Sequence, residues 1–155
     1  MSELIRVQDV LTYVYPVKLD TPISKVAHTM REEFTSLVPV VDDEGKLLGV
    51  IYAEDLLAPF IPEFFDLIED FDYITTFGVL DHEVFSDFTH KLFLAADLMQ
   101  TKYRALKPED SVLKAIFYLV KEKRTCLVVT DNKGYYKGVV SRLSILKRLY
   151  GNGEQ

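Results

Sequence analysis

The chain has one cysteine in 155 residues and no tryptophan. A single thiol cannot form an intramolecular disulfide, so the fold must depend on a packed core, and the low count favours a reducing compartment. Cys126 opens the apolar run 126–129 and is predicted to be a small buried side chain rather than a reactive thiol. No apolar run approaches the roughly 20 residues that cross a bilayer, and the N-terminus lacks the apolar segment of a secretion signal. We therefore expect a cytoplasmic protein.

Enzyme motifs and an excess of basic charge are also missing. The sequence contains no Gly-x-Ser-x-Gly, His-Glu-x-x-His, Cys-x-x-Cys or Gly-x-x-x-x-Gly-Lys. Because no nucleophile lies in a recognisable pattern with a base, we predict that the chain is not an enzyme. Its 24 acidic against 18 basic residues give a formal charge of −6, which repels phosphate backbones and anionic lipids. We expect neither nucleic-acid nor membrane binding.

What the sequence does contain is an internal repeat. A shift of 89 positions aligns residues 21–57 with residues 110–146 without a gap and gives eight identities in 37 positions. The identical pairs are Lys25/Lys114, Glu33/Glu122, Val40/Val129, Asp42/Asp131, Gly45/Gly134, Gly49/Gly138, Val50/Val139 and Leu57/Leu146. Since one such unit is too small to bury both faces of its sheet, we expect the two copies to pack about a pseudo-twofold axis.

Each copy predicts a helix, two strands joined by a tight turn, and a second helix. The apolar spacing i, i+3, i+4, i+7 starts at Ile23 in one copy and at Val112 in the other. Thr21 is the predicted N-cap of the first helix, followed by Pro22, and Asp110 is the predicted N-cap of its counterpart. The remaining predictions are extended pieces 16–19 and 105–107, strands 37–41, 47–51, 126–129 and 136–140, and helices 54–57 and 142–150, the last ended by Gly151. The predicted fold class is α/β (α+β).

Ordered segments in both copies resemble the CBS (cystathionine-β-synthase-type) motif. They are Asp9-Val10-Leu11, Leu37-Val38-Pro39-Val40-Val41-Asp42, Gly49-Val50-Ile51 and Asp55-Leu56-Leu57, then Asp97-Leu98-Met99, Leu127-Val128-Val129-Thr130-Asp131 and Gly138-Val139-Val140-Ser141. The resemblance covers residues 7–57 and 95–150. It implies a stand-alone Bateman module: two βαββα CBS repeats that bind adenosine derivatives between them and often form a homodimer. The expected domains are a first repeat with its lead-in (1–57), a helical insertion (58–94) and a second repeat (95–155).

The resemblance also implies a site in the first copy. In the family, the last strand enters its helix through Gly-h-h-Ser/Thr-x-x-Asp (h apolar), where the hydroxyl meets phosphate and the Asp binds ribose. Asp55 matches the Asp, whereas Tyr52 replaces the hydroxyl residue. Adenine would lie near Pro16 and Val38. Because Glu54 adds negative charge, this site is expected to suit an uncharged nucleoside.

The second copy matches the hydroxyl position of the family pattern but not its Asp position. Ser141 supplies the hydroxyl, and Ser144 replaces the Asp. Arg142 and Arg104 could supply positive charge for a phosphate in this site. The resemblance implies that adenine would lie beside Ala105 and Leu127. Structural alternatives remain open: Ser141 is a good helix N-cap, Asp55 suits a helix dipole, and the arginines could be solvated surface residues.

Residues 58–94 are rich in phenylalanine, with eight of the ten in the chain. Two helices are predicted there, one from Pro62 and one capped by Asp81. The rings could cover the sheets or a dimer seam, or could form a docking surface for a protein partner. His82 and His90 match no compact metal motif, so no metal site is expected.

Three functional hypotheses follow, of which the third, a small-molecule enzyme with an unrecognised site, is disfavoured by the missing motifs. In the first, the chain is a sensor that binds AMP, ADP, ATP, adenosine or an S-adenosylmethionine-type ligand and signals to a partner; none of these is expected as a required cofactor. In the second, it is a ligand-free scaffold that uses the CBS fold and the aromatic insertion for assembly.

Overall fold

A computed structural model of the chain describes residues 4–60 and 93–151. The elements are α1 (Ile23–Glu32), β1 (Leu37–Val41), β2 (Leu47–Tyr52), α2 (Ala53–Leu57), α3 (Ala95–Leu98), β3 (Ala105–Leu106), α4 (Val112–Lys121), β4 (Cys126–Thr130), β5 (Tyr136–Ser141) and α5 (Arg142–Tyr150), with 3-10 turns at Val7–Val10 and Ala58–Phe60. The predicted order of helix, strand, strand and helix is confirmed in both copies. The two helices predicted within the insertion lie outside the described residues.

The tight turns of the two hairpins are built in the same way. In the first, a side-chain oxygen of Asp42 accepts hydrogen bonds at 2.9 Å from two backbone N–H groups of its own turn. Asp131 does the same in the second hairpin, also at 2.9 Å. Gly45 and Gly134 have φ angles of +92° and +89°, which disfavour other residues. The two hairpin turns are therefore equivalent in their hydrogen bonds as well as in their sequence.

The N-caps of α1 and α4 differ by one residue from the sequence prediction. Pro22 is the N-cap of α1, and Ser111 caps α4 by accepting a hydrogen bond from the N–H of Lys114 at 3.2 Å. The side chains of Thr21 and Asp110 instead accept from the backbone N–H three residues earlier, at 3.0 and 2.8 Å. Both predictions were wrong because these side chains close the turn before each helix and not the helix end itself.

The two repeats form separate sheets that meet at their turns. β1 and β2 pair antiparallel, as do β4 and β5, and β3 joins β4 in parallel. Val17 forms the matching parallel bridge to Val40 in the first repeat. The N–H of Leu47 donates to Gly134 at 3.0 Å, and the N–H of Tyr136 donates to Gly45 at 3.1 Å. This reciprocal pairing is the signature of the expected pseudo-twofold arrangement.

The lead-in segments, residues 4–19 and 93–107, cross over between the repeats. The N–H of Val7 donates to Asp110 in the second repeat, and the N–H of Ala95 donates to Thr21 in the first, both at 2.8 Å. Val7 and Val10 are buried in the core of the second repeat. The first part of each lead-in therefore packs on the other repeat, whereas its last part, Val17 or β3, pairs with its own repeat.

Two glycines allow the crossed lead-ins to approach the sheets closely. A Cβ atom on Gly49 would lie 2.8 Å from the carbonyl oxygen of Gln100, and one on Gly138 would lie 2.8 Å from that of Thr12. Each lead-in also exchanges two backbone hydrogen bonds with the neighbouring strand, Gln100 with Val50 and Thr12 with Val139. These two glycines, an identical pair in the repeat, are explained by backbone contact.

The central core cluster is shared by both repeats. Its buried members are Val14, Leu37, Val41, Val50, Tyr52, Cys126, Val128, Tyr136 and Val139. The hydroxyl of Tyr136 donates to the carbonyl of Val14 at 2.7 Å and accepts from its N–H at 3.2 Å, which ties a lead-in to the second hairpin. Cys126 is buried, as predicted, and desolvation raises the pKa of its thiol.

Candidate ligand-binding clefts

Two clefts lie between the repeats at equivalent positions. The first cleft has a volume of about 330 Å³, and its lining residues are Tyr52, Gln100, Lys102, Tyr103, Arg104, Glu122, Arg124 and Leu127. The second cleft has a volume of about 490 Å³, and its lining includes Thr12, Val14, Glu33, Phe34, Thr35, Ser141, Arg142, Leu143 and Leu146. In each, the start of the last helix of one repeat lines the cleft together with residues of the other repeat's lead-in.

This pairing changes how the predicted site residues are grouped. Arg104 and Leu127 were expected beside Ser141, but they line the first cleft with Tyr52. Ser141 and Arg142 line the second cleft with residues of the N-terminal lead-in. The physical reason is the crossover of the lead-ins, which brings each repeat's helix start to the other repeat's lead-in.

Asp55 lies behind the first cleft and is fully engaged in hydrogen bonds. Its Oδ2 accepts from the N–H of Tyr52 at 2.8 Å, as in a capping box. The side-chain amide of Gln100, a lining residue, donates to Oδ1 and Oδ2 at 2.8 and 3.0 Å. The side-chain amide of Gln100 therefore connects the Asp55 carboxylate to the cleft.

Tyr52 forms one wall of the first cleft. Its side chain is 4% exposed, and burial raises the pKa of its hydroxyl to about 12, so the phenol is neutral near pH 7. The guanidinium of Arg124 stacks on the ring, with Cζ 3.9 Å from the ring centroid. An Nη atom of Arg124 also pairs with a carboxylate oxygen of Glu54 at the start of α2. This arginine thus joins one repeat to the other across the cleft.

Arg104, which also lines the first cleft, is held in a similar way. Its Nε donates to Glu122 at 2.8 Å, and its Cζ lies 3.9 Å from the ring centroid of Tyr118. The hydrogen bond to Glu122 raises the pKa of Arg104. A guanidinium that stacks on a ring and pairs with a carboxylate is restricted in orientation before any ligand binds.

The residues that line the first cleft carry more positive than negative charge. Lys102, Arg104 and Arg124 line it, against the single carboxylate of Glu122. Glu54 is paired with Arg124 at its edge. From the sequence, an uncharged nucleoside was expected at this site because of the negative charge of Glu54. The structure groups three cationic side chains in the same cleft, which the sequence analysis did not predict.

The second cleft is more apolar, and its predicted polar residues serve the helix. Ser141 accepts from the N–H of Ser144 at 3.0 Å, and the hydroxyl of Ser144 accepts from the N–H of Ser141 at 3.2 Å. The guanidinium of Arg142 donates to the backbone carbonyls of Leu119 and Arg124 at 2.8 and 2.7 Å. The N-cap interpretation of Ser141 is confirmed, and Arg142 binds the C-terminal end of α4.

A family model for the CBS domain matches residues 7–60 and 95–151 of this sequence. The chain belongs to the CBS domain family. An uncharacterized protein of Methanocaldococcus jannaschii is 25% identical to this CBS pair over 159 residues, which is 96% of this chain and 93% of that protein.

Solved structures share the fold of this CBS pair. The CBS-pair protein CBSX2 from Arabidopsis thaliana gives a TM-score of 0.72 at 21% identity over 99% of each chain. CBSX2 in complex with AMP gives 0.70 at 21% identity, covering 97% of this chain and 99% of that one. The CBS domain pair of MJ0100, in complex with 5′-methylthioadenosine and S-adenosyl-L-methionine, gives 0.65 at 17% identity, covering 98% and 100%.

Most of the residues that were predicted beside adenine line neither cleft. Val38 is fully buried in the core of the first repeat, and Pro16 is partly buried. Ala105 is partly buried in β3, where it pairs with Val128. Only Leu127 of the four residues predicted beside adenine is among the residues that line a cleft.

Sequence reasoning missed several residues of the first cleft. Gln100, Lys102, Tyr103, Glu122 and Arg124 were not singled out as ligand contacts. The 89-residue shift pairs Arg124 with Thr35, so a cation at only one of two equivalent positions could have indicated a functional residue.

In residues 4–60 and 93–151, no helix is long and apolar enough to cross a membrane, and no group of three His, Cys, Asp or Glu side chains could hold a metal ion.

Proposed function

We propose that this CBS pair is a non-catalytic sensor that binds an adenosine nucleotide in the first cleft and signals its presence to a partner protein. The observation that carries the proposal is the cationic first cleft, lined from both repeats and adjacent to Asp55. A cleft of about 330 Å³ is within the range of small-molecule sites, roughly 300–1,000 Å³.

The charges favour a phosphorylated ligand. Arginine and lysine side chains bind phosphate through charge-assisted hydrogen bonds, and Lys102, Arg104 and Arg124 are grouped in the cleft. Asp55 could accept hydrogen bonds from ribose hydroxyls once the amide of Gln100 moves aside. Among CBS-pair proteins of the same fold, CBSX2 was solved with AMP, which supports AMP, ADP or ATP as first candidates. Adenosine and S-adenosylmethionine-type ligands, such as those bound by the MJ0100 pair, are the comparison set.

A sensing mechanism follows from the position of the cleft. Tyr52 belongs to the first repeat and Arg124 to the second, so a ligand between them changes the free energy of one arrangement of the repeats relative to another. CBS-pair proteins are typically regulatory and non-catalytic. We propose that the change is transmitted through a homodimer and through a protein partner that docks on residues 58–94, most of which lie outside the described residues.

A ligand-free scaffold is the second candidate, and one observation favours it. Both site motifs are internally satisfied, since Asp55 is engaged by Gln100 and Tyr52, and Ser141 and Ser144 cap each other. The clefts therefore need no ligand to satisfy these polar groups. In this reading, the repeats only hold the aromatic insertion in place for assembly.

Ligand-dependent stabilisation separates the two candidates. A thermal-shift screen would use AMP, ADP, ATP, adenosine, S-adenosylmethionine, methylthioadenosine and NAD at about 1 mM, on protein unfolded and refolded to remove any bound ligand. A ligand with a Kd near 10 μM adds about 2.7 kcal/mol at this concentration, a shift of several degrees. Selective stabilisation by a nucleotide would support the sensor, whereas no shift with any compound would favour the scaffold.

Asp55→Ala tests the assignment of the cleft. Loss of a charged hydrogen-bond acceptor should weaken nucleotide binding by roughly 10-fold or more. Asp9→Ala is the matched control, because Asp9 also accepts a backbone N–H three residues earlier, at 2.9 Å, but lines neither cleft. Equal affinities of wild type and Asp55→Ala would show that the ligand binds elsewhere.

A further inference from the structure

The two clefts differ at one pair of equivalent positions. In the second cleft, Ser141 occupies the hydroxyl position of the family motif, and Thr35 also lines the cleft. In the first cleft, the residues related to them by the 89-residue shift are Tyr52 and Arg124. Where the second cleft has the small hydroxyl side chain of Ser141, the first has the buried ring of Tyr52. Where the second has Thr35, the first has Arg124, whose Cζ lies 3.9 Å from the centroid of that ring.

We infer that Tyr52 and Arg124 act as a pair that replaces the missing hydroxyl, with the Tyr52 ring positioning the Arg124 guanidinium to bind the phosphate of a nucleotide. The inference rests on the proposed function and adds to it a specificity: the cleft selects nucleotides over nucleosides through Arg124. Tyr52 is a positioning residue, because it acts through the arginine.

Burial and exposure fit these two roles. The Tyr52 side chain is 4% exposed and packs in the central core cluster, so its ring is a rigid surface. The Arg124 side chain is 27% exposed and lines the cleft. A solvated arginine would sample many rotamers, whereas stacking restricts the plane of this guanidinium before a ligand arrives.

The hydrogen-bonding capacity of Arg124 also fits. A guanidinium has five N–H donors in a planar fork, and Glu54 is bound through one Nη atom. Arg104 and Lys102 line the same cleft and would share the phosphate charge. A phosphate is therefore bound by positioned cations, in place of the serine or threonine hydroxyl of the family pattern.

Isothermal titration with AMP and with adenosine tests the inference. The measured quantity is the selectivity, defined as Kd for adenosine divided by Kd for AMP. Arg124→Met should lower the selectivity about 10- to 100-fold, mainly by weakening AMP. Tyr52→Phe keeps the ring and should keep the selectivity, whereas Tyr52→Ser should lower it about 3- to 30-fold, although it restores the family motif. Arg31→Met removes the same charge from an exposed position on α1 outside both clefts and is the neutral control.

Each outcome decides between the inference and the wider proposal. If the wild type binds AMP but Tyr52→Ser binds it equally or more tightly, the ring does not position Arg124 and the inference is overturned, while the sensor stands. An unchanged selectivity in Arg124→Met would overturn it in the same way, and this variant does not open a hole in the core. If the wild type binds neither AMP nor adenosine, the inference is overturned, and the proposed function is overturned with it if no other compound of the thermal-shift screen binds.

Discussion

Substitution of Gly49 by alanine tests the close contact between a crossed lead-in and the sheet. The added Cβ would lie 2.8 Å from the carbonyl oxygen of Gln100 and 2.9 Å from the sulfur of Met99. The methionine side chain can rotate away, but Gln100 is held by two hydrogen bonds to Val50 at 2.8 and 3.0 Å. The lead-in must therefore shift, at the cost of these bonds or of local packing.

The expected loss follows from the type of contact. Overpacking of a close-packed site costs about 1–3 kcal/mol. For a chain of this size, 1 kcal/mol corresponds to about 2–4 °C in Tm, so Gly49→Ala should lower Tm by roughly 2–12 °C. Urea unfolding followed by circular dichroism would give the free energy of unfolding, and an unchanged m-value would show that the transition still covers the same structure.

Gly151→Ala is the matched control for this substitution. Gly151 ends α5 with a φ of −86°, and an added Cβ would have its nearest contact at 3.5 Å, an ordinary distance. The free energy of unfolding of Gly151→Ala should stay within about 0.5 kcal/mol of the wild-type value. Equal stabilities of Gly49→Ala and Gly151→Ala would refute the conclusion that the lead-in and β2 are in tight backbone contact.

Three further substitutions examine the cap, the cleft and the hairpin turn. Ser141→Ala should lower the free energy of unfolding by about 1 kcal/mol in urea titrations, because α5 loses its side-chain N-cap, and an unchanged value would contradict that role. Glu54→Gln should tighten AMP binding a few-fold in titration calorimetry, because a carboxylate no longer competes with phosphate for Arg124; weaker binding would argue that Glu54 orients the arginine. Hydrogen bonds from backbone N–H groups, first that of Tyr135, lower the pKa of Asp131, so its contribution to stability is present above its ordinary value of 3.8 and is lost as the pH falls through the lower folded-state pKa. Asp131→Asn should therefore reduce the loss of stability below about pH 4 in acid titrations, and an unchanged acid profile would contradict this.

The features that were predictable from sequence are those set by local patterns. The strands of both hairpins were predicted to within one residue at each end, because β-branched runs end at Asp-x-x-Gly turns whose geometry requires glycine at Gly45 and Gly134. The Ser141 cap was also predictable, since its position between a strand and an apolar helix leaves few alternatives.

The grouping of site residues was not predictable in the same way. The repeat shows that Tyr52 and Ser141 are equivalent positions, but not which lead-in each of them faces. That choice depends on the crossover of the lead-ins, which is fixed by long-range contacts such as the hydrogen bond from Val7 to Asp110. The identity of Gly49 and Gly138 was visible in the alignment, yet the backbone that approaches them was not.

The symmetry of the fold and the asymmetry of its side chains together constrain how a sensor of this kind could work. The backbone provides two equivalent clefts, but only the first is lined by a group of cations, whereas the second presents Val14, Leu143 and Leu146. A phosphorylated ligand at the first cleft would contact the two repeats on one side of the pseudo-twofold axis. Its binding free energy would then favour an arrangement in which that side closes, so the response should be unequal on the two sides of the pair.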